Sequence, residues 1–396
     1  MKKLLFVINS LSIGGSEKSL VSLLNLIDYS KYEVDLLMLK VGEELDKFIP
    51  KEVNILEVPE YYRYLQGTIK DLSIINKLKY SIIRTKCSMD IRMNGKARNN
   101  RVRNNQQIFY RNQKQVIKTI DKKYDVGVAY AQGFPTYFLA EKVIANKKIS
   151  WINCDYSATM YDKNEDKYYY DKIDKIVAVS EYGKESIIRV NKEYENKIQI
   201  IKDIINPKLI IEMANEKITD MSESDFNIVT VARLVKGYKG YDIAIKAAKL
   251  LKENGYKFRW YAVGDGHDKE IIKKLISQYD LQDNFILLGS KDNPYPYMKE
   301  CDLYVQPSRV EGFGLSVVEA KILKKIIICT NFDTAKYIIN NEVDGIIVNI
   351  DAVSLYEGIA KIIENKNLRE QIEKNVKNQS TYSSLDEIDK FYNIIQ

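Results

Sequence analysis

The chain has 396 residues, of which 45% are hydrophobic and 29% charged, enough for two ordinary globular domains. Its four cysteines are far apart in sequence, no Cys-x-x-Cys occurs and there is a single histidine, so we expect no disulfide scaffold and no metal site. No run of 18 apolar residues suggests a membrane span, and the apolar run after Met1 is too short for a signal peptide, so a cytoplasmic protein is expected.

Short β-branched runs alternate with amphipathic stretches from the start of the chain, a pattern typical of βαβ units around a parallel sheet. In the first half, strands are predicted at 4–8, 34–39, 126–130, 148–152 and 175–179, with a helix at 16–27 after the first of them. Between residues 63 and 124 the sequence predicts helices and no strand. The first domain is expected to span 1–205, because Pro207 then interrupts the pattern.

A second series of strands is predicted at 227–232, 258–263, 285–288, 303–305, 326–329 and 345–348, with helices between them. We expect these elements to form a second domain over 206–384. The last stretch, 385–396, predicts an amphipathic helix that packs back toward the first domain.

Positive charge is concentrated in residues 61–124, which contain 16 Lys and Arg against 3 Asp. The net charge of this segment is therefore +13. Since the whole chain has a net charge of +7, the remaining residues carry a net charge of −6. Nucleic acid, anionic lipid or an acidic acceptor could each use such a patch, but no nucleic-acid-binding motif accompanies it. We predict salt-sensitive binding to the inner face of an anionic membrane that weakens when Arg98, Arg101 and Arg103 are neutralised together. The nearby Ile69, Leu72, Ile75 and Leu78 could insert into lipid, although packing on the domain is favoured for them.

The first predicted strand runs into Gly14-Gly15-Ser16-Glu17 before a helix. Two glycines permit a tight turn and a close approach of backbone to a ligand, Ser16 is expected to cap the helix, and a helix N-terminus suits an anion. A purely structural turn explains the same residues.

Two cations flank the loop after the first strand of the second half, Arg233 and Lys239 in Arg233-Leu-Val-Lys236-Gly-Tyr238-Lys239-Gly240. Such cations can hold a diphosphate. A solvated basic loop is the alternative interpretation.

The most specific motif is the loop and helix start Pro307-Ser-Arg-Val-Glu311-Gly312-Phe313-Gly314, followed by Glu319 in an apolar stretch. A carboxylate in an apolar helix needs a partner, and either a ribose diol or a structural Lys or Arg would serve. Gly312 and Gly314 would leave backbone amides open at the helix N-terminus.

With its Glu-Gly-Phe-Gly, the spacing Glu311-x7-Glu319 resembles the Glu-x7-Glu motif of family 4 retaining glycosyltransferases, which have the GT-B fold of two Rossmann-like domains facing across a cleft. The Gly14-Gly15 turn, the Arg233…Lys239 loop, Val263-Gly264-Asp265-Gly266 and Asn293-Pro294-Tyr295-Pro296-Tyr297 match further motifs of that family in the same order.

The resemblance implies a metal-independent enzyme that moves a hexose or N-acetylhexosamine from a UDP-sugar to a glycan or lipid-linked acceptor, with no cofactor besides this donor. Arg233 and Lys239 would bind the diphosphate, Glu311 the sugar hydroxyls and Glu319 the ribose. Gly14, Gly15, Gly264, Gly312, Phe313 and Gly314 would line the substrate site.

Two departures from the family pattern leave alternatives open. Asn153 stands where the family often has a histidine, and Asn cannot carry a proton. The Arg233–Lys239 spacing is one residue longer than usual, so Lys236 or Tyr238 could occupy the pocket instead. The missing histidine permits a catalytically silent partner subunit as one competing function, and a nucleotide-sugar epimerase on the same fold is the other.

Overall fold

The computed structural model describes residues 1–12, 14–69, 71–95, 104–311, 313–378 and 385–396. Two units are distinguished, one of Met1–Ile205 with Ser384–Gln396 and one of Asn206–Ser383. Arg98, Arg101 and Arg103, on which the membrane prediction partly rests, lie outside the described residues. None of the described helices is both long and apolar enough to span a bilayer.

The first unit is built on seven parallel strands. They are β1 (Lys2–Ile8), β2 (Tyr32–Met38), β3 (Asn54–Ile55), β4 (Ile120–Ala129), β5 (Val143–Ile152), β6 (Lys175–Ala178) and β7 (Ile198–Ile200), in the sheet order β3-β2-β1-β4-β5-β6-β7. Its helices are α1 (Gly15–Leu24), α2 (Glu60–Leu65), α3 (Ile74–Gly95), α4 (Asn105–Gln113), α5 (Phe134–Lys142), α6 (Lys163–Tyr170) and α7 (Glu181–Val190), with two 3₁₀ helices at Asp46–Phe48 and Lys192–Lys197.

The second unit has six parallel strands, β8 (Phe226–Val231), β9 (Phe258–Val263), β10 (Phe285–Gly289), β11 (Leu303–Gln306), β12 (Ile327–Thr330) and β13 (Ile346–Val348), in the order β10-β9-β8-β11-β12-β13. Its helices are α8 (Pro207–Met213), α9 (Lys236–Lys239), α10 (Tyr241–Glu253), α11 (Lys269–Gln278), α12 (Tyr295–Glu300), α13 (Leu315–Ile322), α14 (Ala335–Ile338), α15 (Ala352–Glu364) and α16 (Lys366–Asn378). The predicted pair of Rossmann-like units is confirmed.

The C-terminal helix α17 (Leu385–Ile395) packs within the first unit. The Phe391 ring lies 6.1 Å from that of Phe6 and 6.3 Å from that of Trp151. Tyr392 stacks on Tyr32 at 5.6 Å. Aromatic pairs at these separations contribute beyond the area that they bury, so α17 completes the core over β1.

Several predicted elements differ from the structure. β4 begins at Ile120, inside the stretch predicted as purely helical, and β5 begins at Val143 rather than 148. Polar residues in the first half of each strand, Asp121–Lys123 in β4 and Asn146–Lys148 in β5, hide the β character there. The short edge strands β3 and β7 were not predicted, since two or three residues give no periodic pattern.

Candidate functional site

The loops that follow β8 and β11 meet at the point where the strand order of the second sheet reverses. β9 lies on one side of β8 and β11 lies on the other. In open parallel sheets, ligands bind outside the carboxyl ends of the strands at this switch point. Arg233 comes from the loop after β8, Lys239 ends the short helix α9 that follows this loop, and Glu311 comes from the loop after β11.

These two loops are held together by backbone and side-chain contacts. Gly240 adopts φ 66°, and a Cβ there would collide with the carbonyl oxygen of Pro307. The Arg309 backbone N–H donates to the Tyr238 carbonyl at 2.8 Å, and its guanidinium donates two bonds of 2.8 Å to Asp242. Such a bidentate pair fixes geometry as well as charge. Sequence reasoning missed this pair, since no sequence signal joins residues 67 apart.

At the centre of the site, Lys239 and Glu311 form an ion pair. Lys239 Nζ donates to both carboxylate oxygens of Glu311, at 2.8 and 2.7 Å. Only 20% of the Lys239 side chain and 10% of the Glu311 side chain are exposed. The structure therefore brings together two residues that the sequence placed in the same site, and it puts Lys239 rather than Lys236 or Tyr238 on the carboxylate.

Two buried polar residues, Ser308 and Gln306, donate hydrogen bonds to the Glu311 carboxylate. Ser308 Oγ donates to Glu311 Oε1 at 2.6 Å, and Gln306 Nε2 donates to the same atom at 2.9 Å. Gln306 in turn accepts from the Tyr304 hydroxyl at 2.6 Å. Sequence reasoning missed Gln306, although a glutamine after Leu303-Tyr304-Val305 in a core strand is itself a signal that a polar partner is near.

Arg233 is exposed near the start of the loop after β8 and makes no ion pair or side-chain hydrogen bond with any residue that the structure describes. The alternative residue Tyr238 is also exposed, by 65%, and its backbone carbonyl accepts a hydrogen bond from Arg309. Lys236 donates its backbone N–H to Asp268 at 2.9 Å. The exposed guanidinium of Arg233 is thus available for an anion at the switch point.

Glu319 is buried in α13, and its Oε1 accepts from the Tyr295 hydroxyl at 2.8 Å. Burial and the neighbouring Glu319 carboxylate hold the pKa of Tyr295 well above its usual value, so the phenol keeps its proton. Tyr295 is a partner of Glu319 that sequence reasoning did not consider. Tyr295 belongs to the Asn293–Tyr297 motif, which the sequence had singled out without a role.

The glycines of the predicted site have structural reasons of their own. Gly264 has φ 146°, and a Cβ there would collide with the Ala232 carbonyl, so the loops after β8 and β9 touch. Gly314 precedes α13 in the left-handed conformation, with φ 85°. Phe313 is half-buried beside it. Gly312 lies outside the described residues.

In the first unit, Gly14 is the extended N-cap of α1 and Gly15 is its first residue. A Cβ at Gly14 would collide with the Glu17 carboxylate. The prediction that Ser16 caps α1 was wrong, because the helix starts one residue earlier and the Ser16 hydroxyl donates to Glu17 Oε2 at 2.9 Å instead.

Asn153 follows β5 at the same edge of the first sheet. Its Nδ2 donates to the Tyr130 carbonyl at 2.9 Å, and its backbone N–H donates to Gln132 Oε1 at 3.1 Å. The buried Asn153 Oδ1 has no hydrogen-bond partner within the described part of the chain. Asn153 is therefore oriented by its neighbours, with one acceptor atom left over.

A buried carboxyl that sequence reasoning missed, Asp203, follows β7. Burial and the nearby Glu17 raise its pKa to about 7, although the Ser19 hydroxyl hydrogen-bonds it and acts in the opposite direction. Ser19 also contacts the Tyr130 hydroxyl at 3.0 Å and accepts from the Ile204 backbone at 2.9 Å.

No three His, Cys, Asp or Glu side chains of the described residues form a group that could hold a metal ion.

Comparisons with known proteins agree with this architecture. Residues 213–379 match the family model of glycosyl transferases group 1. The chain is 27% identical over 259 residues to an N-acetylgalactosamine-N,N'-diacetylbacillosaminyl-diphospho-undecaprenol 4-alpha-N-acetylgalactosaminyltransferase of Campylobacter jejuni, covering 62% of this chain and 69% of that protein. Four further curated relatives are matched over 42% to 61% of their own length.

Two solved structures share the fold over nearly all of both chains. A glycosyltransferase from Rickettsia africae superposes with a TM-score of 0.63 at 19% identity, covering 100% of this chain and 97% of that one. Anabaena Alr3699/HepE in complex with UDP-glucose gives 0.66 at 15% identity, with 99% of each chain covered. The fold is GT-B, and the family match supports a glycosyltransferase.

Proposed function

We propose that this GT-B glycosyltransferase is a retaining enzyme of the family 4, Glu-x7-Glu type, which transfers a hexose or N-acetylhexosamine from a UDP-sugar to a glycan or lipid-linked acceptor without a metal ion. The observation that carries the proposal is the Lys239–Glu311 ion pair at the switch point of the second sheet, beside the exposed Arg233.

In this proposal, Arg233 and Lys239 bind the donor diphosphate. The bond between the sugar and the diphosphate breaks, the acceptor oxygen bonds to the same face of the sugar, and the acceptor proton passes to the departing diphosphate. Negative charge grows on that diphosphate during the reaction, and two preplaced cations stabilise it. Their positive charge supplies what a metal ion supplies in other enzymes.

Glu311 contacts the hydroxyls of the donor sugar, and Glu319 binds the ribose. Gln306 and Ser308 support these roles, because they hold the Glu311 carboxylate with two hydrogen bonds before any ligand arrives. A carboxylate held in this way loses little entropy on binding. Gly264, Gly312, Phe313 and Gly314 are proposed to line the substrate site, where their backbone meets the phosphates or the sugar.

The nature of donor and acceptor is supported by the proteins that this chain resembles. A structure with the same fold holds UDP-glucose, and the Campylobacter relative is named for an acceptor linked to diphospho-undecaprenol. Gly14, Gly15 and Asn153 of the first unit are proposed to bind substrate, with Asn153 Oδ1 accepting from a hydroxyl.

Thermal unfolding across nucleoside diphosphates and nucleotide sugars tests the proposal. A ligand that binds the folded state at about 100 times its Kd raises the free energy of unfolding by roughly 2.7 kcal/mol. We expect UDP and a UDP-sugar to raise Tm, and Arg233→Ala and Lys239→Ala to abolish the increase. No increase with any nucleoside diphosphate would refute the donor site.

Product analysis then separates the competing functions. Transfer that requires an acceptor and keeps the anomeric configuration supports the proposal. Conversion or hydrolysis of the donor with no acceptor requirement would favour an epimerase. If the isolated chain binds a nucleotide but transfers sugar to none of the acceptors tested, a catalytically silent subunit would be favoured.

A further inference from the structure

Helix α3 of the first unit presents an apolar stripe to solvent. Six of its large hydrophobic side chains are more than half exposed: Ile74 (85%), Ile75 (78%), Leu78 (64%), Ile82 (60%), Met89 (53%) and Met93 (70%). From Ile74 and Leu78 onward they recur near helical spacing, so they share one side of the helix. Contiguous exposed apolar surface on a folded protein marks a place where something binds.

The opposite side of α3 is what attaches it to the unit. Tyr80 and Cys87 are buried, and the Tyr80 ring lies 5.1 Å from that of Tyr61 in an edge-to-face contact. The Tyr80 hydroxyl donates to Glu60 at 2.7 Å. Because this side is packed, the apolar stripe is not needed to hold the helix in place.

Basic side chains flank the stripe. All five Lys and Arg of α3 are exposed: Lys77, Lys79, Arg84, Lys86 and Arg92. At about 100° per residue, Lys77 and Arg84 fall on one flank and Lys79 and Lys86 on the other, while Arg92 lies in line with Ile74 near the end of the helix. The only acidic residue of the helix, Asp90, is half-buried on the packed side, where it accepts from Asn112 at 2.9 Å.

We infer that the outer face of α3 is a membrane-docking surface that lies in the headgroup region of an anionic lipid bilayer. An apolar stripe between two rows of cations suits this interface, because the stripe enters the acyl boundary while the cations stay at the phosphates. A second copy of the chain would bring two basic faces together, and a nucleic acid would leave the stripe uncovered. The helix, about 33 Å long, lies on the bilayer and does not span it.

This docking surface corrects part of the sequence-based interpretation. Packing on the domain holds for Leu72, which is buried, and for Ile69, which is half-buried. It does not hold for Ile75 and Leu78, which face solvent. The inference is independent of the donor chemistry, so the failure of either proposal leaves the other intact.

Sedimentation of the full chain with sucrose-loaded vesicles tests the inference. We expect binding to mixed phosphatidylglycerol–phosphatidylcholine vesicles at low salt, little binding to phosphatidylcholine alone, and release as salt rises, since screening shortens the reach of charge to about 3 Å at 1 M. Equal binding to both kinds of vesicle, or none to either, would overturn it.

Two variants with matched controls separate the stripe from the cations. Replacing Leu78, Ile82 and Met89 by Gln should lower the partition coefficient by about tenfold or more, while replacing the exposed Val41, Ile144 and Met160 by Gln should leave it unchanged. Replacing Lys77, Lys79, Arg84 and Lys86 by Gln should lower it on the order of several hundredfold, against a small change for the exposed Lys51, Lys192, Lys217 and Lys246. If each control variant lowers vesicle binding as much as the matching α3 variant, binding depends on the general surface composition of the protein. The assignment to α3 is then wrong.

Insertion of α3 into the bilayer can be measured with a fluorescent side chain at Leu78. Both native tryptophans, Trp151 and Trp260, are buried, so a Leu78→Trp variant adds the exposed one. Its emission should shift to the blue and be quenched by brominated lipids when vesicles are added. Unchanged emission in a sedimenting protein would overturn the docking surface. So would a concentration-dependent dimer in the absence of lipid that the Gln stripe variant abolishes.

Discussion

Replacing Glu311 by Gln removes the negative partner of Lys239 with almost no change in side-chain size. Glu311 accepts from Lys239 with both oxygens, at 2.8 and 2.7 Å, and its Oε1 also accepts from Ser308 and Gln306. A glutamine keeps one acceptor oxygen and adds an NH₂ group that faces the Lys239 ammonium or the two neutral donors. Lys239 therefore loses its counter-charge while remaining four-fifths covered.

Two effects of opposite sign follow for the ligands. If Glu311 holds the donor sugar, transfer loses a charged hydrogen bond worth about 1.5–3 kcal/mol, which slows it by roughly 10- to 150-fold. The freed Lys239 attracts a diphosphate more strongly, by up to about 1 kcal/mol for a pair near the surface. Binding of the free nucleoside diphosphate should thus be unchanged or up to about fivefold tighter. The free energy of unfolding should fall by about 1–3 kcal/mol, between the values for exposed and buried pairs.

Calorimetry with a nucleoside diphosphate and with the corresponding nucleotide sugar, together with initial transfer rates and thermal unfolding, measures each quantity. Glu319→Gln is the matched control in the same unit. Its native carboxylate accepts from Tyr295 and is proposed to hold the ribose, so this variant should weaken both ligands by about tenfold.

The reasoning is refuted if Glu311→Gln weakens the free nucleotide as much as the nucleotide sugar, since the carboxylate would then bind the nucleotide part. It is also refuted if transfer by a well-folded Glu311→Gln protein is as fast as that of the native chain.

Three further outcomes are expected. Arg233→Ala should slow transfer on the order of 100-fold or more and change the free energy of unfolding by less than about 0.5 kcal/mol, because the side chain is exposed; rates near the native value would remove its diphosphate role. Gly240→Ala should destabilise by more than about 1 kcal/mol, because φ is 66° and the Cβ would meet Pro307, whereas Gly237→Ala, with open space around it, should not; similar denaturation midpoints for the two would contradict the close approach of the loops. Asp203 has a folded-state pKa raised to about 7, so the native fold binds its proton more tightly than the unfolded chain and loses stability as pH rises from about 4 to 7. Asp203→Asn should therefore gain roughly 2–4 kcal/mol relative to the native chain between pH 5 and pH 8 in urea unfolding, and a difference independent of pH would show that Asp203 titrates normally.

The sequence by itself determined most of the strands of the two sheets, though not the short edge strands β3 and β7, and it determined which loops carry charge. Buried parallel strands are nearly continuous runs of apolar and aromatic residues, as at Leu4–Ile8 and Phe258–Val263, and such runs are visible without any partner. The loop residues Arg233, Lys239 and Glu311 could be placed at one edge of one sheet, because carboxyl ends of parallel strands lie together.

Only the tertiary structure decided which side chains touch. The hydrogen bonds from Gln306 to Glu311 and from Tyr295 to Glu319 depend on how a strand, a loop and two helices pack together. The spacing of these residues along the chain does not predict that packing. Helix α3 shows the limit most clearly. It has apolar residues on both sides, Tyr80 and Cys87 on one and Leu78 and Ile82 on the other. Periodicity predicts the helix but not which side is buried, because that depends on where α2 and α4 lie against it.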